Sequence, residues 1–135
     1  MTAPRYMLDT NIVSDLIRNP LGRAASRIDH LGDDSVCVSI VVAAELRYGC
    51  AKRRSPRLLS LVEGALERMP VLPLDLPADA EYAAIRAELE TAGKPIGPND
   101  LLIAAHAYAL RMPLVTADVG EFSRVRGLQV ENWLV

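Results

Sequence analysis

Short apolar runs alternate with longer amphipathic segments along the chain, and this pattern predicts alternating strands and helices. The short runs contain β-branched or other bulky apolar residues and span 5–8, 35–39, 71–74, 114–116 and 129–131. In the longer segments apolar residues recur every three or four positions, as on one face of a helix. These segments span 11–19, 22–31, 40–51, 56–69, 77–92 and 98–111, and a helical turn follows at 121–124.

The alternation indicates an α/β fold, in which a short, mainly parallel sheet is covered by helices on both faces. At 135 residues the chain has the size of one domain, and no linker or internal repeat divides it. We therefore expect a single domain over residues 1–135. Ligands in such folds bind beyond the carboxyl ends of the strands, so the residues just after each strand are the candidates for function.

The composition is that of a folded protein of the cytoplasm. Half of the residues are hydrophobic and 24% are charged, which excludes a disordered or collagen-like chain. We expect no membrane partner, because no apolar run is long enough to span a bilayer and residues 1–8 lack the pattern of a signal peptide. The two cysteines, Cys37 and Cys50, cannot build a disulfide framework and lack metal-ligand spacing, so we expect free thiols.

Four carboxylates interrupt apolar segments at or near predicted strand ends. Asp9 follows the run 6–8 directly, and Asp118 comes two residues after the run 114–116. Glu45 lies in an otherwise apolar part of the helix at 40–51, and Asp100 opens the most hydrophobic helix of the chain. An ionised carboxylate at the end of a buried strand is costly unless a partner compensates it.

Each carboxylate taken alone has a structural explanation. Asp100 can serve as a capping residue at a helix N-terminus, Asp118 can cap the following turn, and Asp9 can form an Asx turn. Glu45 can face solvent. Clustered carboxylates repel one another, however, and a divalent cation such as Mg²⁺ or Mn²⁺ resolves that repulsion. The set together predicts metal-assisted hydrolysis of a phosphodiester bond.

Several motifs resemble those of the PIN-domain ribonucleases, and more narrowly of the VapC toxins of bacterial toxin–antitoxin pairs. They are Met-Leu-Asp-Thr-Asn-Ile at 7–12, Ser-Ile-Val-Val-Ala-Ala-Glu-Leu-Arg-Tyr-Gly at 39–49, Gly-Pro-Asn-Asp-Leu-Leu-Ile-Ala-Ala-His-Ala at 97–107 and Leu-Val-Thr-Ala-Asp at 114–118. The resemblance covers essentially the whole chain in the same order. One departure is Ala117-Asp118, where many VapC proteins have Asn-Asn.

The resemblance implies a Mg²⁺- or Mn²⁺-dependent endoribonuclease with its metal and catalytic residues at Asp9, Glu45, Asp100 and Asp118. It also implies a toxin that forms a homodimer and is inhibited, in a hetero-oligomer, by a VapB-like antitoxin. The RNA it suggests is a transfer RNA or a structured loop of ribosomal RNA. Asn11 and Thr116 are expected to orient the carboxylates.

The net charge of −2 argues at first sight against an RNA substrate. If four acids hold metal, however, thirteen remain against 15 bases, and most of those bases are Arg, which suits phosphate. The bases closest after Glu45 are candidate contacts to the RNA backbone, namely Arg47, Lys52, Arg53 and Arg54. The alternative for these four is a solvated helix end.

Two other functions are compatible with an Asp after the first strand. A phosphoryl-transfer enzyme that accepts phosphate on Asp needs either a second Asp where Asn11 stands or a Lys after a late strand, and neither Lys52 nor Lys94 is so placed. A non-catalytic PIN module would tolerate loss of the acids, whereas all four are present here.

Overall fold

The computed structural model describes residues 3–135, so Met1 and Thr2, which belong to the expectation about a signal peptide, lie outside it. Five strands are present: β1 (Tyr6–Leu8), β2 (Val36–Ser39), β3 (Val71–Leu72), β4 (Leu114–Val115) and β5 (Val130–Glu131). The α-helices are α1 (Thr10–Arg18), α2 (Arg23–Leu31), α3 (Ile40–Arg53), α4 (Pro56–Glu67), α5 (Ala78–Thr91), α6 (Pro98–Ala109) and α7 (Val119–Phe122). A single 3₁₀ turn, Asp33–Ser35, precedes β2.

All four pairings in the sheet are parallel, and the strand order is β3-β2-β1-β4-β5. In β1, Met7 pairs with Cys37 of β2 on one side and with Leu114 of β4 on the other. The predicted α/β class and parallel sheet are therefore confirmed. The direction of winding reverses between β1 and β4, which opens a crevice beyond the carboxyl ends of these two strands.

The core lies on both sides of the central strands. Met7, Leu8 and Leu114 are fully buried, as is much of α6, including Ile103 and Ala104. Parallel sheets covered by helices on both faces have such continuously buried strands, because neither face meets water.

Serine side chains cap the N-termini of α3 and α4. The Ser39 hydroxyl accepts a hydrogen bond from the Val41 N–H at 3.1 Å, and the Ser55 hydroxyl accepts one from the Leu58 N–H at 3.1 Å. Each of these bonds satisfies an N–H that has no partner within its helix.

Most of the predicted elements begin or end one or two residues away from the observed boundaries. β3 ends at Leu72 rather than at residue 74, since Pro73 has no N–H to donate to a neighbouring strand. The helical turn predicted at 121–124 begins and ends two residues earlier, at Val119–Phe122. Among the helices of residues 3–135, none combines the length and the apolar character that a membrane span requires.

Candidate active site

Asp9 lies at the switch point, directly after β1, and caps α1. Its Oδ1 accepts a hydrogen bond from the Thr10 N–H at 2.8 Å, and its Oδ2 accepts one from the Thr116 hydroxyl at 2.8 Å. The side chain is buried, with 4% of its surface exposed. Asp9 can therefore cap the helix and also belong to the active site, because one carboxylate oxygen accepts from the Thr10 N–H while the other faces Thr116.

Asn11 and Thr116 join the ends of β1 and β4. The Asn11 amide donates to Asp9 Oδ2 and to Thr116 Oγ1, both at 3.3 Å, and its oxygen accepts from the Ala117 N–H at 2.9 Å. Thr116 Oγ1 also accepts from the Asp118 N–H at 3.0 Å. These bonds hold the Asp9 carboxylate and the backbone of Asp118 in a defined relation.

Glu45 reaches the same crevice from α3 and is half-buried. Its Oε1 accepts a hydrogen bond from the Thr10 hydroxyl at 2.6 Å, and its Oε2 accepts one from the Asn99 amide at 3.4 Å. Thr10 and Asn99 thus connect Glu45 to α1 and α6, the helices that begin beside Asp9 and Asp100. Neither residue was predicted to orient a carboxylate.

Asp100, Asp118 and Glu121 form the tightest acidic cluster, because each offers a carboxylate oxygen and these oxygens lie within 4.8 Å of one another. Glu121 Oε1 also accepts a hydrogen bond from the Gly97 N–H, at the start of α6, at 3.1 Å. The sequence analysis placed Glu121 in a helical turn and did not predict it as a site residue. The available signal was its position three residues after Asp118, which puts the two side chains on one face of that turn.

The carboxylates of the cluster have shifted pKa values. Burial, followed by a hydrogen bond with Glu121 and by the negative charges of Glu121, Asp9 and Glu45, raises the pKa of Asp100 to about 7. Burial also raises the pKa of Asp9, although hydrogen bonds from Thr116 and Thr10 oppose the shift. Buried carboxylates that repel one another retain protons.

The pKa values of Asp118 and Glu121 are shifted in opposite directions. The hydrogen bond with Glu121 is the main cause that raises the pKa of Asp118. For Glu121 burial acts to raise the pKa, but hydrogen bonds from Asp118, Gly97 and Asp100 outweigh it and lower the pKa. Glu121 is thus the ionised member, which accepts hydrogen bonds from its two neighbours.

The donor set fits a hard divalent cation. Asp9, Glu45, Asp100, Asp118 and Glu121 offer only oxygen ligands, the kind that Mg²⁺ and Mn²⁺ prefer. Burial, the hydrogen bond with Glu121 and the neighbouring negative charges raise the pKa of Asp100, and a cation would offset the repulsion among these carboxylates.

The predicted basic contacts lie outside this cluster. Arg47 donates to Glu63 at 3.3 Å, within an ion pair that joins α3 to α4. Lys52, Arg53 and Arg54 are exposed at the C-terminal end of α3, and none of the three forms an ion pair with the residues that the structure describes.

The family model of the PIN domain matches residues 6–128, from β1 to just before β5. In sequence the chain is 40% identical over 130 residues to the tRNA(fMet)-specific endonuclease VapC of Shigella flexneri, a match that covers 96% of this chain and 98% of that protein. It is also 40% identical over 131 residues to ribonuclease VapC2 of Haemophilus influenzae (strain ATCC 51907 / DSM 11121 / KW20 / Rd), with the same coverage of 96% and 98%.

Solved structures of VapBC complexes also match this chain. The crystal structure of DNA-bound VapBC from Salmonella typhimurium matches with a TM-score of 0.89 and 37% identity, covering 96% of this chain and 98% of that one. That of VapBC2 from Rickettsia felis, bound to a DNA fragment from their promoter, matches with a TM-score of 0.87 and 34% identity, covering 95% and 98%. The chain therefore belongs to the PIN-domain family, and within it to the VapC-type ribonuclease toxins.

Proposed function

We propose that this ribonuclease cleaves transfer RNA with Mg²⁺ or Mn²⁺ held by Asp9, Asp100, Asp118 and Glu121, with Glu45 at the edge of the site. The observation that carries the proposal is the cluster of Asp100, Asp118 and Glu121, whose carboxylate oxygens lie within 4.8 Å of one another, with Asp9 and Glu45 near enough for their charges to raise the pKa of Asp100. The bound ion would lower the pKa of the attacking water and offset the charge that develops on the phosphate.

The chain's own residues set the protonation and the orientation of the site. Asn11 and Thr116 hold Asp9 Oδ2 towards β4, so that this carboxylate does not rotate away when a phosphate approaches. Thr10 and Asn99 do the same for Glu45 from two other helices. Asp100, which forms a hydrogen bond with Glu121 and has a pKa of about 7, would release its proton to let a cation bind.

The proposed substrate class rests on two relatives. The VapC proteins of Shigella flexneri and Salmonella typhimurium, at 40% and 38% identity, are named tRNA(fMet)-specific endonucleases. Aromatic residues make up only 4% of this chain, too few for an extended base-stacking platform, so RNA would be recognised mainly through its backbone and shape. We propose an initiator transfer RNA, and cleavage of a ribosomal RNA loop instead would contradict this choice.

We also propose that a VapB-like antitoxin binds the apolar groove between α1, α2 and α4. This groove has a volume of about 470 Å³ and is lined by Leu16, Ile17, Ile28, Leu61, Ala65 and Met69, among others. Its apolar lining suits a short apolar segment of a partner protein. Two of the matched crystal structures, from Salmonella typhimurium and Rickettsia felis, are VapBC complexes, which supports an antitoxin as the occupant.

The unit of function in this proposal is one PIN domain over residues 1–135, acting in the cytoplasm as a homodimer that also joins the antitoxin. The single domain is supported by a continuous core from Met7 to Trp133. The cytoplasm is supported by the free, buried thiols of Cys37 and Cys50 and by the RNA substrate.

Cleavage of labelled initiator transfer RNA by the purified protein tests the nuclease proposal. We expect cleavage with Mg²⁺ or Mn²⁺, none with EDTA, and a loss of at least about a hundredfold in Asp9→Asn and Asp100→Asn. Undiminished cleavage by either variant would contradict the assignment of the site. Cleavage in EDTA would contradict metal dependence.

A further inference from the structure

Positive charge is concentrated in one short stretch of the chain. Residues 46–62 contain five basic residues and no acidic residue, in a chain whose net charge is −2. The stretch covers the second half of α3 and the first half of α4, so the sequence cluster is also a cluster in space.

Most of this charge is not neutralised within the protein. Arg47 pairs with Glu63, but Lys52, Arg53, Arg54 and Arg57 form no ion pair within residues 3–135. All four side chains belong to exposed residues. Like charges this close repel one another, and a polyanion bound across them would relieve the repulsion.

The exposed face of α3 connects this charge to the acidic site. At 100° per residue, Lys52 lies within about 20° of the direction of Glu45 and about 10 Å further along the helix. Gly49 lies between them, and a Cβ built on it would have no contact within 4 Å, so this part of the face is bare and open. Tyr48 stands beside it with 66% of its surface exposed, unusual for a large apolar side chain.

We infer that this face of α3, together with the turn that follows it and the start of α4, binds the stretch of RNA that adjoins the scissile bond. We call this surface the α3 track; it consists of Tyr48, Lys52 and Arg53 on α3, Arg54 in the turn and Arg57 on α4. In this arrangement the four cations contact phosphates and the Tyr48 ring stacks on an unpaired base. A stacked strand advances about 3.4 Å per nucleotide, so about three nucleotides separate the carboxylates from Lys52. The inference rests on the proposed nuclease function and adds the direction in which the substrate leaves the site.

The charge component is tested with the double variant Lys52→Gln/Arg53→Gln. Binding to fluorescent initiator transfer RNA is measured in EDTA over a range of salt concentrations, and cleavage is measured with Mn²⁺. We expect the slope of log affinity against log salt to fall in magnitude by about 1.4, since each phosphate contact in a single strand contributes about 0.7. We expect KM to rise while kcat stays near that of the wild type, because the acidic site is intact.

The matched control is Arg18→Gln/Arg23→Gln. It removes two exposed cations that form no ion pair within the described chain and that lie on α1 and α2. We expect its salt slope to stay close to that of the wild type. Equal slopes for the two double variants would overturn the assignment of the charge to the α3 track.

The stacking component is tested with Tyr48→Leu and Tyr48→Phe. Leu keeps a comparable apolar volume but has no π face, so we expect roughly tenfold weaker binding of the transfer RNA, and Phe should retain wild-type affinity. Equal RNA affinity in both variants, or a shift from dimer to monomer in Tyr48→Leu with RNA binding unchanged, would show that Tyr48 contacts protein instead and overturn its role.

Gly49→Glu offers a test that does not remove any contact. The open space around Gly49 accommodates a side chain, and Glu is a better helix former than Gly, so folding should not suffer. The added negative charge should weaken RNA binding, and Gly49→Gln separates charge from bulk.

A wild-type protein that neither binds nor cleaves RNA contradicts the nuclease proposal itself. Normal wild-type cleavage with unchanged binding in all track variants contradicts only the α3 track.

Discussion

At the scale of single residues, Asp100 shows how the acidic cluster works. Burial and the neighbouring charges of Glu121, Asp9 and Glu45 raise its pKa to about 7, so near neutral pH it is poised between the protonated and ionised forms. A cation competes with that proton for the same oxygens. Affinity for metal is therefore linked to pH through a residue whose position the fold determines.

Metal binding should depend on pH in a defined direction. Below about pH 7 the proton on Asp100 must be displaced, so Mn²⁺ affinity should rise about tenfold per pH unit up to that value and then level off. Isothermal titration calorimetry from pH 5.5 to 8.5 measures this dependence. In Asp100→Asn the rise should be largely lost, and an unchanged rise would assign the proton to another group.

The raised pKa of Asp100 also predicts how the stability of the metal-free protein depends on pH. The pKa of Asp100 is about 7 when folded and near its ordinary 3.8 when unfolded, so the unfolded state loses its proton first as pH rises. The free energy of unfolding therefore falls between about pH 4 and 7 and stays lower above pH 7. In EDTA at pH 8, Asp100→Asn should melt above the wild type, whereas at pH 4 the two should melt together. A variant that melts below the wild type at pH 8 would contradict this.

Glu121 is the residue through which α6 and α7 are held together at the site. The variant Glu121→Gln keeps an oxygen for the Gly97 N–H but removes the charge that Asp100 and Asp118 face. We expect Mn²⁺ affinity to fall by about tenfold or more with little change in the melting temperature. Glu67→Gln on α4 is the control, since Glu67 is exposed and outside the cluster. Equal metal affinity in both variants would exclude Glu121 from the site.

At the scale of elements, the start of α3 is tied to the core through Ser39. Its hydroxyl caps α3 and also lies 2.8 Å from Nδ1 of the buried His106 in α6. Because the Ser39 oxygen accepts from the Val41 N–H, its proton is available for that ring nitrogen. His106 is buried and connects α6 to the helix that carries Glu45.

This connection makes the two serine caps unequal. Ser39→Ala removes a cap, about 1 kcal/mol, and leaves a buried histidine nitrogen unpaired, about another 1–3 kcal/mol. Ser55→Ala removes only the cap of α4 and should cost about 1 kcal/mol. Urea denaturation of both variants measures the difference. Equal losses would show that the contact between Ser39 and His106 contributes nothing to stability.

At the scale of the whole molecule, the two surfaces proposed for function occupy different parts of the protein. The carboxylates lie beyond the ends of β1 and β4, whereas the apolar groove lies between α1, α2 and α4. If the antitoxin contacts only the apolar groove, a substitution there should abolish antitoxin binding and leave nuclease activity intact.

Leu61→Lys tests this separation. Leu61 lines the groove and is 45% exposed, so a charge at this position should cost little stability but should disfavour an apolar partner. We expect co-purification with a co-expressed VapB-like antitoxin to be lost while cleavage of RNA is retained. Ser60→Lys, an exposed neighbour on α4 that does not line the groove, is the control. Retained binding by Leu61→Lys would place the antitoxin elsewhere.

The sequence by itself determined the kinds and order of the elements and the carboxylates Asp9, Glu45, Asp100 and Asp118 as candidates. These follow from periodicity, caps and an acid within an apolar run, all of which are local properties of neighbouring residues. The motif resemblance likewise indicated the family correctly. The end of β3 was predicted two residues too late, although Pro73, which has no N–H to donate to a neighbouring strand, marks it in the sequence.

Only the tertiary structure decided which distant groups meet. The strand order brings β1 beside β4, and so Asp9 beside Thr116, although 107 positions separate them. Glu121 enters the site by reaching the Gly97 N–H, Thr10 reaches Glu45, and Arg47 is paired with Glu63. No local pattern encodes such contacts, since a side chain's partner across the fold depends on how whole helices pack around the sheet.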